Sequence, residues 1–134
     1  MSAFTDFAEN HLVDFIFRGQ ALGINGATAA AGTGPATRYV ALLTTGMSDP
    51  GVGTEVSGGS YARVTVASTL ANWAGTQGAL STTVSTGTSG TTSNNNAITF
   101  PAPTAAWGVV TSYAVYDSLT GWTQGRHRSD PAPC

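Results

Sequence analysis

The run Tyr39-Val40-Ala41-Leu42-Leu43-Thr44-Thr45, a turn, Thr54-Glu55-Val56-Ser57-Gly58-Gly59-Ser60-Tyr61 and then Ala62-Arg63-Val64-Thr65-Val66 decides the fold. Its first part is almost continuously apolar, the pattern of a strand covered on both faces. Between the two halves, Gly46-Met47-Ser48-Asp49-Pro50-Gly51-Val52-Gly53 concentrates residues that accept positive φ or preset φ near about −65°, so the chain turns there. Tyr61–Ala67 alternates: Tyr61, Arg63, Thr65 and Ala67 point one way, Ala62, Val64 and Val66 the other, and Val64 and Val66 are assigned to the core. Gly58-Gly59 allow a tight or bulged entry to this strand. Tyr61 brings a ring with a hydroxyl handle, and Arg63 can satisfy Glu55 across the hairpin.

Upstream, residues 1–20 read as an amphipathic helix. Ser2 or Thr5 caps it, Asp6 and Glu9 lie where the helix dipole favours anions, and Arg18-Gly19 ends it. Phe4, Phe7, Ala8, Leu12, Phe15 and Ile16 recur at three- and four-residue steps and make one aromatic face. Val13 and Phe17 add apolar groups beside it, more than one contact requires, so part of the Phe stripe is a candidate for docking on a neighbouring subunit. Residues 21–36 are uncharged and without period through Gly23–Pro35, as expected of a flexible loop or contact arm, with an Ala-rich helical turn as the alternative.

Residues 37–120 carry the β signals. Leu80–Thr86 reads as a weak edge strand, Ser85–Ser93 as a solvated low-complexity loop, Ala97–Phe100 as a strand closed by Pro101 and Pro103, and Trp107–Asp117 as the longest strand. Several short strands at turn-punctuated spacing, one helix and no βαβ alternation predict a mainly β chain: an antiparallel, jelly-roll-like β-sandwich with one N-terminal α-helix. Residues 121–134 lose the β period and read as an extended tail, where Arg126-His127-Arg128 could pair with carboxylates on a neighbour.

Composition excludes several functions. The 134 residues suit one domain, and only 9% are charged. The five cations are all arginine, Arg18, Arg38, Arg63, Arg126 and Arg128, and mostly scattered, which argues against nucleic-acid binding. No apolar run reaches membrane-spanning length, the N-terminus lacks the basic region of a signal peptide, and the expectation is a protein made and kept in a cytoplasm or in something assembled there. Cys134, the one cysteine, cannot form an intrachain disulfide. A formal charge of −2 gives weak repulsion between copies and suits a chain that works in an assembly.

A search for chemistry yields no catalytic residues, no metal ligands and no cofactor site. Gly58-Gly59-Ser60-Tyr61-Ala62 falls one residue short of a nucleophile elbow and precedes a strand rather than following one. His11 and His127 have no partner at metal-ligand spacing; His11 is placed at the helix flank against the core rim. The seven carboxylates form no acid/base pair on facing strands. Asp49 and Glu55 flank the glycine-rich turn, where turn stabilisation by an Asx motif is preferred to calcium binding. The expectation is a protein that is not an enzyme.

Thr37-Arg38-Tyr39-Val40-Ala41-Leu42-Leu43-Thr44-Thr45, Asp49-Pro50, Gly53-Thr54-Glu55-Val56-Ser57-Gly58-Gly59-Ser60-Tyr61-Ala62-Arg63, Ser93-Asn94, Ile98-Thr99-Phe100-Pro101, Trp107-Gly108-Val109-Val110-Thr111 and Tyr116-Asp117, with Phe15-Ile16-Phe17-Arg18-Gly19, resemble a family of small tailed-phage virion proteins. That family is labelled minor structural protein or tail fibre protein, and similar small β-sandwich proteins serve as capsid decoration (cement) proteins. The likeness covers about residues 1–120. It departs where Thr120-Gly121 runs into the Trp/Arg/Pro tail and where the Ser85–Thr92 insert is longer than the pattern. Loss of terminal strands leaves an unpaired sheet edge, to be filled by a neighbouring chain or the chain's own arm.

The resemblance implies a virion component assembled in the host cytoplasm. Its first reading is capsid decoration: dimers or trimers bracing the major capsid protein lattice, with Phe4, Phe7, Phe15, Phe17, Arg18, Arg126 and Arg128 as the candidate partner contacts. The alternative is a tail-fibre or tail-tip component presenting Ser/Thr/Asn loops to a host surface glycan, for which Trp73, Trp107 and Trp122 are the available stacking rings.

Overall fold

The computed structural model describes residues 4–24, 27–29, 34–48 and 53–120. The first element is helix α1, Asp6–Arg18. Thr5 takes the extended backbone of an N-cap and its hydroxyl accepts the Ala8 amide at 3.3 Å, with Asp6 and Glu9 in the first turn as read. At the other end Gly19 is left-handed (φ 68°), and a Cβ there would lie 2.6 Å from the Ser68 carbonyl oxygen. The amides of Gly19 and Gln20 both return to the Asp14 carbonyl. The Gln20 side chain donates to the Arg18 carbonyl at 3.0 Å. Arg38, from a neighbouring strand, donates Nε and Nη2 to the Ile16 carbonyl at 2.8 and 2.5 Å. The Gln20 and Arg38 side chains thus serve carbonyls that the last turn leaves without helical partners.

The segment expected to be a flexible arm contains a short antiparallel hairpin, β1 (Leu22–Ile24) and β2 (Ala27–Ala29), lying against α1. The edge-to-ring contact of Phe7 with His11 (4.3 Å between centroids) places the half-buried histidine on the helix flank, near Gly23. Strand β3 (Thr37–Leu43) is the centre of the molecule. It pairs antiparallel with β4 (Val64–Ala67) on one side and β5 (Ser112–Tyr116) on the other, giving the order β4-β3-β5. Val40, Ala41 and Leu43 are buried, as a strand covered on both faces should be. Val64 and Val66 are half-buried while Thr65 and Ala67 are exposed, which keeps the expected alternation within β4.

Other expectations change. The strand read as Tyr61–Ala67 begins at Val64, because Gly58, Gly59 and Ser60 all take positive φ and carry residues 57–63 out of the ladder. The sheet resumes before that excursion: Leu43 bridges to Glu55, the Val56 amide donates to the Leu42 carbonyl at 3.0 Å, and Thr44 donates to Thr54 at 2.8 Å. The strand read as Trp107–Asp117 is regular only over Ser112–Tyr116, and neither Leu80–Thr86 nor Ala97–Phe100 forms a strand. Between β4 and β5 the described backbone is irregular, apart from one Trp73–Asn94 bridge. The reason is local: Ser, Thr and Asn side chains there bond nearby backbone and compete with a sheet ladder. Ser81 Oγ accepts the Gly75 amide (2.8 Å) and donates to Gly78 O (2.6 Å), while Asn95 Nδ2 reaches the carbonyls of Leu70 and Ser81. The chain is therefore mainly β with one helix. Among the described residues, the expected sandwich is represented by a single three-stranded antiparallel sheet and the β1–β2 hairpin.

Candidate functional site

Three places carry the functional side chains. The first is the face of α1 formed by Asn10, Asp14 and Arg18, spaced four residues apart and so stacked on one side of the helix. Arg18 is completely buried. Its Nη1 meets Asp14 Oδ1 at 2.6 Å, Nε donates to the Trp73 carbonyl at 2.8 Å and Nη2 to the Thr83 carbonyl at 2.6 Å. Asp14 in turn accepts the Ser85 amide (2.8 Å) and hydroxyl (2.5 Å). Asn10 accepts from the Thr76 hydroxyl, which also receives the Gly87 amide at 2.9 Å. The serine- and threonine-rich run is thus pinned to the helix by one polar stripe, where a solvated loop was expected. Arg18 had been a candidate partner contact, and its burial removes it from any outer surface.

The second place is the pair read across the hairpin. Arg63 holds Glu55 through two bonds, Nε–Oε1 at 2.9 Å and Nη2–Oε2 at 2.7 Å. Arg63 also donates to the Ser118 carbonyl at 2.7 Å and lies 3.9 Å over the Tyr116 ring. The hydrogen bond from Arg63 holds the Glu55 carboxyl below its ordinary range, against the opposing effect of burial. Tyr61 completes the group. Its hydroxyl donates to Glu55 Oε1 at 2.9 Å and accepts the Leu42 amide at 3.0 Å, standing in for the strand that residues 57–63 leave out. Burial is the main cause that pushes the Tyr61 phenol up to about 12. Under this ring, Trp107 (5.5 Å, edge-on) and Phe100 (6.3 Å, stacked) pack, and the Trp107 indole donates to the Gly59 carbonyl at 2.9 Å.

The third place is open. Val40 and Leu42 of β3 stand opposite Val115 and Tyr113 of β5, on one face of the sheet. Phe17, Trp73, Ile98 and Phe100 border this face around a groove of about 510 Å³, with Thr92, Ser93 and Asn94 at its rim. Trp73 is buried and packs on Phe17 (5.2 Å), and its indole nitrogen has no acceptor among the described residues. Tyr113 is 71% and Val115 37% exposed.

Of the remaining candidates, Phe4 and Phe7 are exposed by 61% and 55%, consistent with an outward-facing part of the stripe, while Phe15 and Phe17 are half-buried. Trp73 is closed to a sugar by burial, and Trp107 is spent on Tyr61 and Gly59. Arg126, Arg128, His127, Trp122, Cys134 and Asp49 lie outside the described residues. The polar helix stripe was missed by the sequence reading, although the spacing Asn10-x₃-Asp14-x₃-Arg18 was visible. What marks it is a carboxylate and a guanidinium four apart at the end of a helix facing a hydroxyl-rich segment.

No curated protein and no solved structure matches this chain. A family model does, that of the Podophage GP4 fiber I protein gp80, over residues 3–125. The match spans the helix, the three-stranded sheet and the pinned loops together. It favours the fibre reading over capsid decoration and makes the protein a virion component: the chain belongs to the podophage fibre I family.

Proposed function

We propose that this chain is a non-enzymatic structural component of a phage tail fibre, held in place by contacts with other protein subunits. The observation that carries the reading is the family match over residues 3–125. The disposition of the charged groups supports a scaffolding role. Asp14 and Glu55 are both engaged by arginines inside the chain, so each works in holding the fold. The exposed apolar surface, from Phe7 on the helix to Tyr113 and Val115 beside the groove, supports assembly with other subunits.

Glycan presentation by the Ser85–Asn96 loops has weaker support. Ser85, Ser89, Thr92, Asn95 and Asn96 direct polar groups to Asp14 or to backbone of their own chain, and Trp73 offers no exposed face. The jelly-roll-like sandwich is the finer reading of the fold, and the groove face of the sheet is where a second layer would pack. Antibody labelling of whole virions in the electron microscope tests the proposal. Label confined to the tail supports a fibre component. Label distributed over the head returns the protein to the decoration reading.

A further inference from the structure

We propose that the cleft beside the Glu55–Arg63 pair is the docking site of the chain's own continuation beyond Thr120, with the Trp122 indole as its anchor. The described walls of this cleft are Glu55, Tyr61, Ala62, Arg63, Leu119 and Thr120, and the space between them is about 420 Å³. A cavity of roughly 150 Å³ holds a benzene ring, so an indole fits here together with the backbone that carries it. Leu119 is exposed at this wall, an apolar group left bare beside a polar cluster. Covering it favours an apolar occupant.

The path of the chain selects that occupant. Arg63 Nη1 donates to the Ser118 carbonyl at 2.7 Å, and Ser118 Oγ donates to the Thr120 carbonyl at 2.7 Å, so the exit from β5 is pinned to the Glu55–Arg63 pair itself. Thr120 is both the last described residue and a wall of the cleft. Trp122 follows two residues later, within about 7 Å of the Thr120 Cα even when the chain is extended. Gly121 between them lets the backbone turn in either sense. A ring tethered this close competes with any separate partner at a high effective concentration. Within residues 121–134, Trp122 is also the one large apolar side chain. The family match ends at residue 125, so Trp122 belongs to the matched unit rather than to the Arg/Pro segment that follows.

The contact has two consequences. An indole over the cleft keeps water from the Arg63–Glu55 and Tyr61–Glu55 hydrogen bonds, which strengthens them. It also takes the last candidate ring away from a sugar, because Trp73 is buried and Trp107 is packed on Tyr61. This docking is independent of where the chain sits on the virion, and its failure would leave the fibre reading untouched.

Nuclear magnetic resonance of the full chain, with reductant present so that Cys134 stays a thiol, tests the contact. Nuclear Overhauser cross-peaks are expected from the Trp122 ring to the Ala62 and Leu119 methyl groups, with the Ala62 methyl displaced by the ring current. Trp122→Ala should abolish both effects. Ala62→Phe fills the cleft and should release the indole to solvent while Glu55 and Arg63 stay paired. Circular dichroism of each variant separates loss of the contact from loss of fold, and the wild-type cross-peaks decide if a variant unfolds. In a sample mixed from isotope-labelled and unlabelled chains, filtered spectra should lack these cross-peaks, as a contact within one chain requires. An indole with solvent-like shifts, cross-peaks that place it elsewhere on the chain, or cross-peaks between labelled and unlabelled chains would each overturn the proposal.

Discussion

Arg18 closes on Asp14 at 2.6 Å, one helical turn back, with side-chain exposures of 0% and 8%. The same guanidinium reaches the carbonyls of Trp73 and Thr83, so one buried cation joins the helix to two separate loops. Burying two charges is costly, and the arrangement is tolerable because the donors and acceptors are matched. Arg18→Ala would leave Asp14 buried without its counter-charge and is expected to lower stability by about 3–5 kcal/mol in urea denaturation. Arg18→Lys should recover little, since one ammonium cannot reproduce a fork that serves a carboxylate and two carbonyls.

Ser85 is the partner that brings the loop to this pair. Its hydroxyl donates to Asp14 and accepts the Thr76 amide at 3.3 Å. Ser85→Ala is expected to cost about 1–3 kcal/mol, as removal of one partner in a buried polar group does. Proteolysis should show the matching change, with cleavage in residues 77–92 accelerated while the three-stranded sheet stays protected.

Tyr61 occupies the gap in the ladder at Leu42. Tyr61→Phe keeps the ring packing on Trp107 but removes the acceptor for the Leu42 amide, at a cost of about 1–3 kcal/mol and with faster hydrogen exchange at Leu42. The phenol, raised to about 12, is favoured in its neutral form by the fold. Its contribution is full below the ordinary tyrosine range and is lost as pH rises through about 12. Ultraviolet titration of the folded protein should therefore contain a late phenolate step that Tyr61→Phe abolishes.

Glu55 behaves in the opposite sense. Its carboxyl is held below the ordinary range by Arg63, so its contribution is full above that range and is lost as pH falls through the depressed value. Denaturation midpoints should drop on acidification, and in Glu55→Gln this part of the acid dependence should be missing. Charge reversal gives a second check: Glu55→Arg should destabilise, and adding Arg63→Glu should restore part of the loss. An unchanged Glu55→Arg protein would contradict the pairing.

Gly59 is confined by its neighbours. It takes φ 55°, and a Cβ would stand 2.7 Å from the Ala105 carbonyl oxygen and 2.9 Å from the Trp107 indole nitrogen. Gly59→Ala should cost about 1–3 kcal/mol and shift Trp107 fluorescence. Gly58→Ala, where nothing lies within 4 Å, bears the φ strain alone and should be milder.

The features legible in the sequence were those set by local chemistry. Thr5 and Gly19 marked the helix ends, the apolar run at Tyr39–Leu43 marked the central strand, and Glu55 with Arg63 marked the clasp. Long-range polar satisfaction was not legible. Ser81 looked like part of an edge strand and Ser85 like part of a solvated loop, because nothing local says that Arg18 lies across from them, or Asn10 across from Thr76. Strand content after Val66 was overestimated for a related reason. Threonine and Val84 suit a strand over residues 80–86, but serine weakens that signal, and hydroxyls such as that of Ser81 bond adjacent backbone and hold an irregular path.

The most direct test of the fibre assignment is the number of copies per virion, measured by quantitative mass spectrometry against the major capsid protein. A fibre component should be present in a small number of copies, a minor fraction of the capsid protein. A ratio near one to one, or another fraction set by the head lattice, would contradict that assignment and restore capsid decoration.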